Sequence, residues 1–154
     1  MQKLLSLFIL CSVFNSSFAQ KTVSKTYAKP YKPPTLTTSL SQYKDTLQKI
    51  SIEEAHRVIT LPLQIIDNQK VVYAISSYQF IYKKLNVSED ESGKKYIKPS
   101  MTAQTFKSTP LSSIWIRNIK DQLKSGEILW FTDVIVKDNK GRVMFAPDLK
   151  FMIL

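Results

Sequence analysis

Residues Gly126 to Arg142 read GEILWFTDVIVKDNKGR, and the chain continues as VMFAPDLKFMIL to Leu154. Two apolar-rich runs flank Asp138-Asn139-Lys140-Gly141, residue types that supply the turn conformations others resist, so the segment has the form of a β-hairpin. With Asp138 set opposite Gly141, Val136 meets Val143, Val134 meets Phe145, Trp130 meets Leu149 and Ile128 meets Phe151, an entirely apolar face. The other face pairs Ile135 with Met144, Asp133 with Ala146, Phe131 with Asp148, Leu129 with Lys150 and Lys137 with Arg142. That face is mixed. Because strand side chains alternate, Asp133 stays off the apolar face unless a bulge or a register change intervenes.

Working upstream, STPLSSIWIRNIKDQLKSG predicts the main helix, with Pro110 in its first turn and Gly126 in the left-handed position past its end. Leu111, Ile114, Trp115, Ile119 and Leu123 are expected on its sheet-packing face. KYIKPSMTAQTF predicts a strand whose Pro99 demands an edge or a bulge. The segment LPLQIIDNQKVVYAISSYQFIYKKL, turning at Asp67-Asn68, predicts a long hairpin, and the charged NVSEDESGKK an exposed loop. In SIEEAHRV, Ser51 and Glu54 form a capping box for a helix of about two turns.

The start, MQKLLSLFILCSVFNSSFAQK, has a basic Lys3, an apolar run from Leu4 to Phe14 and a small-x-small exit at Ser17-Phe18-Ala19, the pattern of a cleaved secretory signal. Its apolar run is about half the roughly 20 residues that span a bilayer. Leu10 before Cys11 departs from the small residue a lipid-attachment site requires. Cys11 is the one cysteine, so the expected mature chain has no disulfide, thiol nucleophile or thiolate metal site. Residues 20–35, rich in Lys, Thr and Pro, read as an extended tether, and 36–154 as one domain. Truncating the chain before Thr35 should therefore leave cooperative melting intact.

Lysine and arginine fall from 22 to 21 with Lys3 against 12 acids, leaving a mature net charge of +9. Such a surplus predicts an acidic partner, and export together with the lack of a recognition motif argues against nucleic acid. Lys83, Lys84, Lys94, Lys95 and Lys98 are expected to cluster around the charged loop as a basic contact patch, with Tyr78, Phe80 and Tyr82 sharing one strand face as core.

No catalytic, cofactor or metal motif emerges. The sole histidine, His56, has no HExxH, paired histidine or nucleophile elbow near it, and reads as a surface or boundary residue. Asp133 and Asp148 on the mixed hairpin face could serve a small envelope hydrolase, but cleft-forming loops are lacking. A charge-driven module for glycans or the cell surface is a further alternative. Asp138-Asn139 and the SEDES run do not have calcium-loop spacing.

The order of elements resembles the C-terminal periplasmic domain of GldM/PorM, the gliding-motility and type IX secretion motor protein of Bacteroidetes. The resemblance rests on SSYQFIYKK and on FKSTPLSSIWIRNIKDQLKSGEILWFTDVIVKDNKGRVMFAPDLKFMI, with Leu123, Gly126, Leu129, Trp130, Phe131, Asp133, Val134 and Ile135 as the centre of the pattern. It covers roughly residues 61–154. It implies a β-rich, sandwich-like module that makes protein contacts and carries no catalytic residues, with Asp133 as a structural or interfacial acid. The chain is expected to depart from that family, with a cleavable leader where the motor protein has a transmembrane helix and with too short a sequence for the earlier periplasmic domains.

The expectation is thus an exported, mainly β (α+β), antiparallel sandwich-like domain with one main helix, acting without catalysis on envelope proteins. Its expected contact residues are Lys83, Lys84, Lys94, Lys95, Phe131, Asp133 and Asp148.

Overall fold

A computed structural model realises the alternating stretches of the sequence as a mainly β fold, with two helices among the described residues. It describes residues 30–44 and 47–154; the expected signal and most of the expected tether lie outside them. The compact unit described here comprises residues 32–154. Its elements are β1 (Leu36–Leu40), β2 (Tyr43–Lys44), β3 (Leu47–Ile50), α1 (Ile52–Val58), β4 (Leu63–Asp67), β5 (Val72–Glu89), β6 (Lys95–Phe106), α2 (Ser113–Gln122), β7 (Ile128–Lys137), β8 (Val143–Ala146) and β9 (Leu149–Ile153).

Strands β2, β1, β4, β5, β7, β9 and β3 follow one another across the sheet, with β6 added beside β5 and β8 beside β7. All pairings are antiparallel except that of β3 with β9. The first residues of β5 pair with β4, and the rest pair with β6 and β7, so this strand belongs to both halves of the sheet. Leu36, Leu40, Leu63 and Ile65 from one half join Phe80, Phe131, Leu149 and Phe151 from the other in a single apolar core. Phe80 and Phe131 meet with ring centroids 5.0 Å apart at its centre. Burying one such ring contributes about 1.5–3 kcal/mol.

Three hairpin turns use one chemistry. In each, an aspartate (Asp67, Asp90 or Asp138) donates its N–H to the carbonyl four residues on, at 3.1 Å, and accepts the N–H of the third following residue at 3.0 Å. The Oδ1 atom of each also accepts the N–H groups two and four residues ahead, at 2.8–3.0 Å. The residue three past the aspartate is left-handed: Lys70 (φ 64°), Gly93 (φ 81°) and Gly141 (φ 76°). This is the three-residue loop of a turn followed by a bulge.

That loop corrects the register expected for the last hairpin. Asp138 lies opposite Arg142, not Gly141, so every partner shifts by one: Val136 faces Met144, Val134 faces Ala146, Phe131 faces Leu149 and Leu129 faces Phe151. The second strand is also broken between β8 and β9 at Pro147-Asp148. At that level β7 carries an extra residue, Asp133, in the left-handed region (φ 48°), and the register against β5 shifts there. The inward sequence therefore changes parity, from Leu129 and Phe131 to Val134 and Val136. Asp133 is exposed because it is the bulge residue.

Helix α1 forms as its cap predicts: Ser51 Oγ accepts the Glu54 N–H at 3.2 Å. The Glu54 carboxylate does not return to the Ser51 amide; it accepts the Tyr43 hydroxyl at 2.8 Å and pairs with Arg57. In α2, Ile119 is fully buried, Leu111 and Leu123 are buried on either side, and the Trp115 ring meets Phe80 edge-on at 5.4 Å. Ile114 is 61% exposed, against expectation, because at 3.6 residues per turn it sits about 140° around the helix from Ile119. Pro110 precedes the helix rather than opening it; the cap residue is Ser112. Gly126 is left-handed as expected, but within the turn Lys124–Glu127, three residues past the helical cap Leu123.

Strand β6 spans the expected Lys95 to Phe106 and, among the described strands, pairs with β5 alone, so Pro99 lies in an edge strand there. The charged segment is only half loop: Asn86–Glu89 continues β5, Lys95 opens β6, and the Asp90–Lys94 turn remains between them. Beyond the Lys83–Ile128 pair, β5 and β6 continue as a two-stranded ribbon.

Candidate functional site

The two faces of β5 differ in what covers them. Tyr78, Phe80 and Tyr82 point inward beneath α2, as the alternation predicts. Burial pushes the Tyr78 hydroxyl up to about 12, and it donates to the Ser108 carbonyl at 3.1 Å. Tyr82 is also raised, first by burial and then by its bond to the Glu127 carboxylate.

The opposite face of the same strand carries Ile81, which is only 7% exposed, and Lys83, which is exposed. Cross-strand pairing sets Ile81 beside Trp130, and Trp130 beside Lys150; the next row sets Met101 beside Lys83, and Lys83 beside Ile128. These six residues line a shallow cleft of about 180 Å³. The Lys150 ammonium lies 4.9 Å from the centre of the Trp130 ring, and the Trp130 Nε1–H donates to Asp148 Oδ2 at 3.0 Å. Met101 is 66% exposed, and along the ribbon on this same face Val87 and Ile97 are 69% and 66% exposed. An apolar band of this kind, edged by lysines, is the composition of a contact surface.

The expected contact residues are distributed unevenly over this geometry. Lys83 lies in the cleft. Lys84 projects to the opposite face, 4.9 Å from the Tyr82 ring centre, with its ammonium donating to Gln122 Oε1 at 2.5 Å. Lys94 and Lys95 stand at the ribbon tip, roughly 17 Å from Lys84 at 3.3–3.4 Å per strand residue, so the lysines form a line rather than a cluster. Phe131 is 2% exposed and belongs to the core, the one-residue register shift having exchanged it with Trp130. Asp133 is exposed on the bulge. Asp148 Oδ2 accepts both Trp130 Nε1–H and Thr132 Oγ1–H at 3.0 Å, which fixes that carboxylate as a support for the tryptophan. Ile81, Met101 and Ile128 were not singled out by the sequence; their signal is membership of the face opposite Tyr78, Phe80 and Tyr82.

Glu127 also escaped the sequence reading. Only 2% exposed, it accepts the Tyr82 hydroxyl, the Leu85 N–H and the Lys124 N–H. Its neighbours Lys84, Asn86, Asp121 and Gln122 line a polar cleft of about 250 Å³. His56 is half-buried, and its Nε2 is enclosed without a hydrogen-bond partner. Among the described residues, no group of three or more His, Cys, Asp or Glu side chains is placed to hold a metal ion. No described helix is long and apolar enough to cross a membrane.

The fold and face define a mainly β domain with an uncovered apolar and basic sheet surface. No protein-family model matches the chain, and no curated protein matches it in sequence.

Proposed function

We propose that the chain is an exported, non-enzymatic protein-binding or assembly module of the cell envelope, a free-standing relative of the GldM/PorM C-terminal domain linked to type IX secretion or gliding motility. The observation that carries this reading is the outward face of β5, β6 and β7, where Met101 stays two-thirds exposed at the Trp130 cleft, and its continuation along the β5–β6 ribbon, where Val87 and Ile97 are exposed to the same degree. Burying such a band contributes about 25 cal/mol per Å² of apolar surface, which is the usual driving term for association. The leader pattern supports export, and the motif from Leu123 to Ile135 supports the family link.

The open edge of β6 is a poor alternative contact, because Pro99 lacks an N–H and Lys95 and Lys98 charge the strand. Contact by the face is therefore favoured over strand addition. Chemical cross-linking in native envelopes, followed by identification of the captured protein, tests the proposal. A specific envelope protein is expected; recovery of the chain uncross-linked under conditions that trap known envelope complexes would refute it.

A further inference from the structure

Resting on the binding-module reading, we infer that the cleft between β5, β6, β7 and β9 takes an extended peptide segment with the pattern acid–x–apolar–x–acid. Its apolar side chain sits over Ile81, Ile128 and Trp130, and its two carboxylates reach Lys83 and Lys150.

Three observations define this occupant. The floor of the cleft is apolar and aromatic, and among its six lining residues the only charges are the two lysines. Lys150 is in the row of Ile81 and Trp130, whereas Lys83 is one row further along β5, so the cations occupy diagonal corners with the apolar residues between them. Two strand spacings and a two-residue advance place their Cα atoms about 12 Å apart, and residues i and i+4 of an extended peptide are separated by about 13 Å. Residues i, i+2 and i+4 of such a peptide share one side, which delivers acid, apolar group and acid in the required order.

Charge opposes the simplest rival: the full chain has a net charge of +10, so two copies repel as they approach, whereas a short acidic segment is attracted to Lys83 and Lys150. The Asp148 carboxylate is not among the residues lining the cleft; its Oδ2 accepts the Trp130 Nε1–H and the Thr132 hydroxyl beside it. Phe145, 72% exposed on β8, is apolar surface of another kind: it is not among the residues lining the cleft.

The test uses the full chain and a capped peptide carrying Glu, Phe and Glu at alternate positions separated by threonines, with a Lys-Phe-Lys counterpart. The chain has two tryptophans, so in a Trp115→Phe background the emission reports on Trp130 alone; calorimetry on the unsubstituted chain gives the same measurement without that change. The acidic peptide is expected to give saturable binding that weakens about tenfold in Lys83→Glu and in Lys150→Glu. Binding should also weaken at about 0.5 M salt, where the Debye length is roughly 4 Å. Absence of saturation, equal binding of the Lys-Phe-Lys peptide, or indifference to both lysine substitutions overturns the inference.

A photo-cross-linker placed at Met101 or at Phe145 in native envelopes separates this inference from the reading beneath it. Capture at Met101 of an identified protein containing the acid–x–apolar–x–acid segment supports both. Capture at Phe145 alone overturns the cleft and leaves the binding module standing. Capture at neither position overturns both.

Discussion

Glu127 accepts the hydroxyl of Tyr82 at 2.5 Å, and the same carboxylate accepts the N–H of Lys124 at 3.0 Å and of Leu85 at 3.1 Å. One buried side chain thereby ties the turn after α2 to β5, directly beneath the strand that carries the outward cleft. Removing one partner of a buried hydrogen bond leaves the other unsatisfied at a cost of about 1–3 kcal/mol. Tyr82→Phe should therefore destabilise by about 1–2 kcal/mol, while Glu127→Ala, which strands two backbone donors and a hydroxyl, should cost about 2–4 kcal/mol. Urea denaturation measures both. Equal stability of Glu127→Ala and the unsubstituted chain would refute this role.

The three aspartate turns differ at their left-handed residue, and that difference has a direct consequence. Lys70 holds φ 64° with a Cβ, whereas Gly93 and Gly141 occupy the equivalent positions without one. A left-handed conformation costs an ordinary L-residue roughly 1 kcal/mol. Lys70→Gly is expected to raise stability by about 0.5–1 kcal/mol, and Gly141→Ala, whose added Cβ meets nothing within 4 Å, to lower it by about 1 kcal/mol. Gly126→Ala should cost more than Gly141→Ala, because its Cβ would lie 2.8 Å from Leu85 Cδ1. Thermal melting ranks the three; Lys70→Gly melting below the parent would refute the turn assignment.

The same aspartates set the acid limit of the fold. At Asp90 the Ser92 hydroxyl and then the Lys94 N–H hold the carboxyl below the usual range. At Asp67 and Asp138 burial pushes upward but is outweighed, by Val71 N–H and the Tyr73 hydroxyl in one case and by the Arg142 N–H and guanidinium in the other. A carboxyl with a lowered folded value stabilises the fold above its ordinary titration, near pH 4, and loses that contribution as pH falls through the folded value. Stability should therefore hold from neutral pH to about 5 and decline below about 4. Asp138→Asn should reduce stability at neutral pH and flatten the acid decline, as followed by chemical denaturation across pH. An unchanged acid slope in that variant would contradict the expectation.

How far the sequence carried can be seen in particular residues. The strand Lys95–Phe106 and the Ser51 cap were legible because both depend on local pattern. The last hairpin was legible as a hairpin but not in register, since Asp-Asn-Lys-Gly can close a loop with either of two partners for Asp138, and a shift of one residue exchanges strand faces. That shift placed Trp130 in the core and Phe131 outside, the reverse of what is observed. Val134 and Val136 were nonetheless assigned inward correctly, because the Asp133 bulge changes parity a second time. Strands β1 to β3 were not anticipated: they are only two to five residues long, and β3 is fixed by parallel pairing with β9, about a hundred residues away. Of the cleft, Lys83 was legible as a charge; its apolar floor emerges only when β5, β6 and β7 lie side by side.

Asp133 offers the sharpest separation between scaffold and catalyst. Its φ of 48° places it in the region that Asp and Asn tolerate better than other side chains and that glycine adopts freely. The bulge it forms lets Phe131 and Val134 both face the core, so the backbone conformation at this position carries the structural role. Asp133→Asn and Asp133→Gly should accordingly melt within about 0.5 kcal/mol of the parent, whereas a β-branched Asp133→Val should lose about 1–2 kcal/mol. Partner capture through the cleft should survive in the Asn variant. An envelope hydrolase using this carboxylate would instead lose turnover on Asp133→Asn while keeping its stability. Comparing melting, partner capture and hydrolysis of envelope polymers in the Asn and Val variants decides the matter: turnover present in the parent and abolished in Asp133→Asn would sink the scaffold assignment.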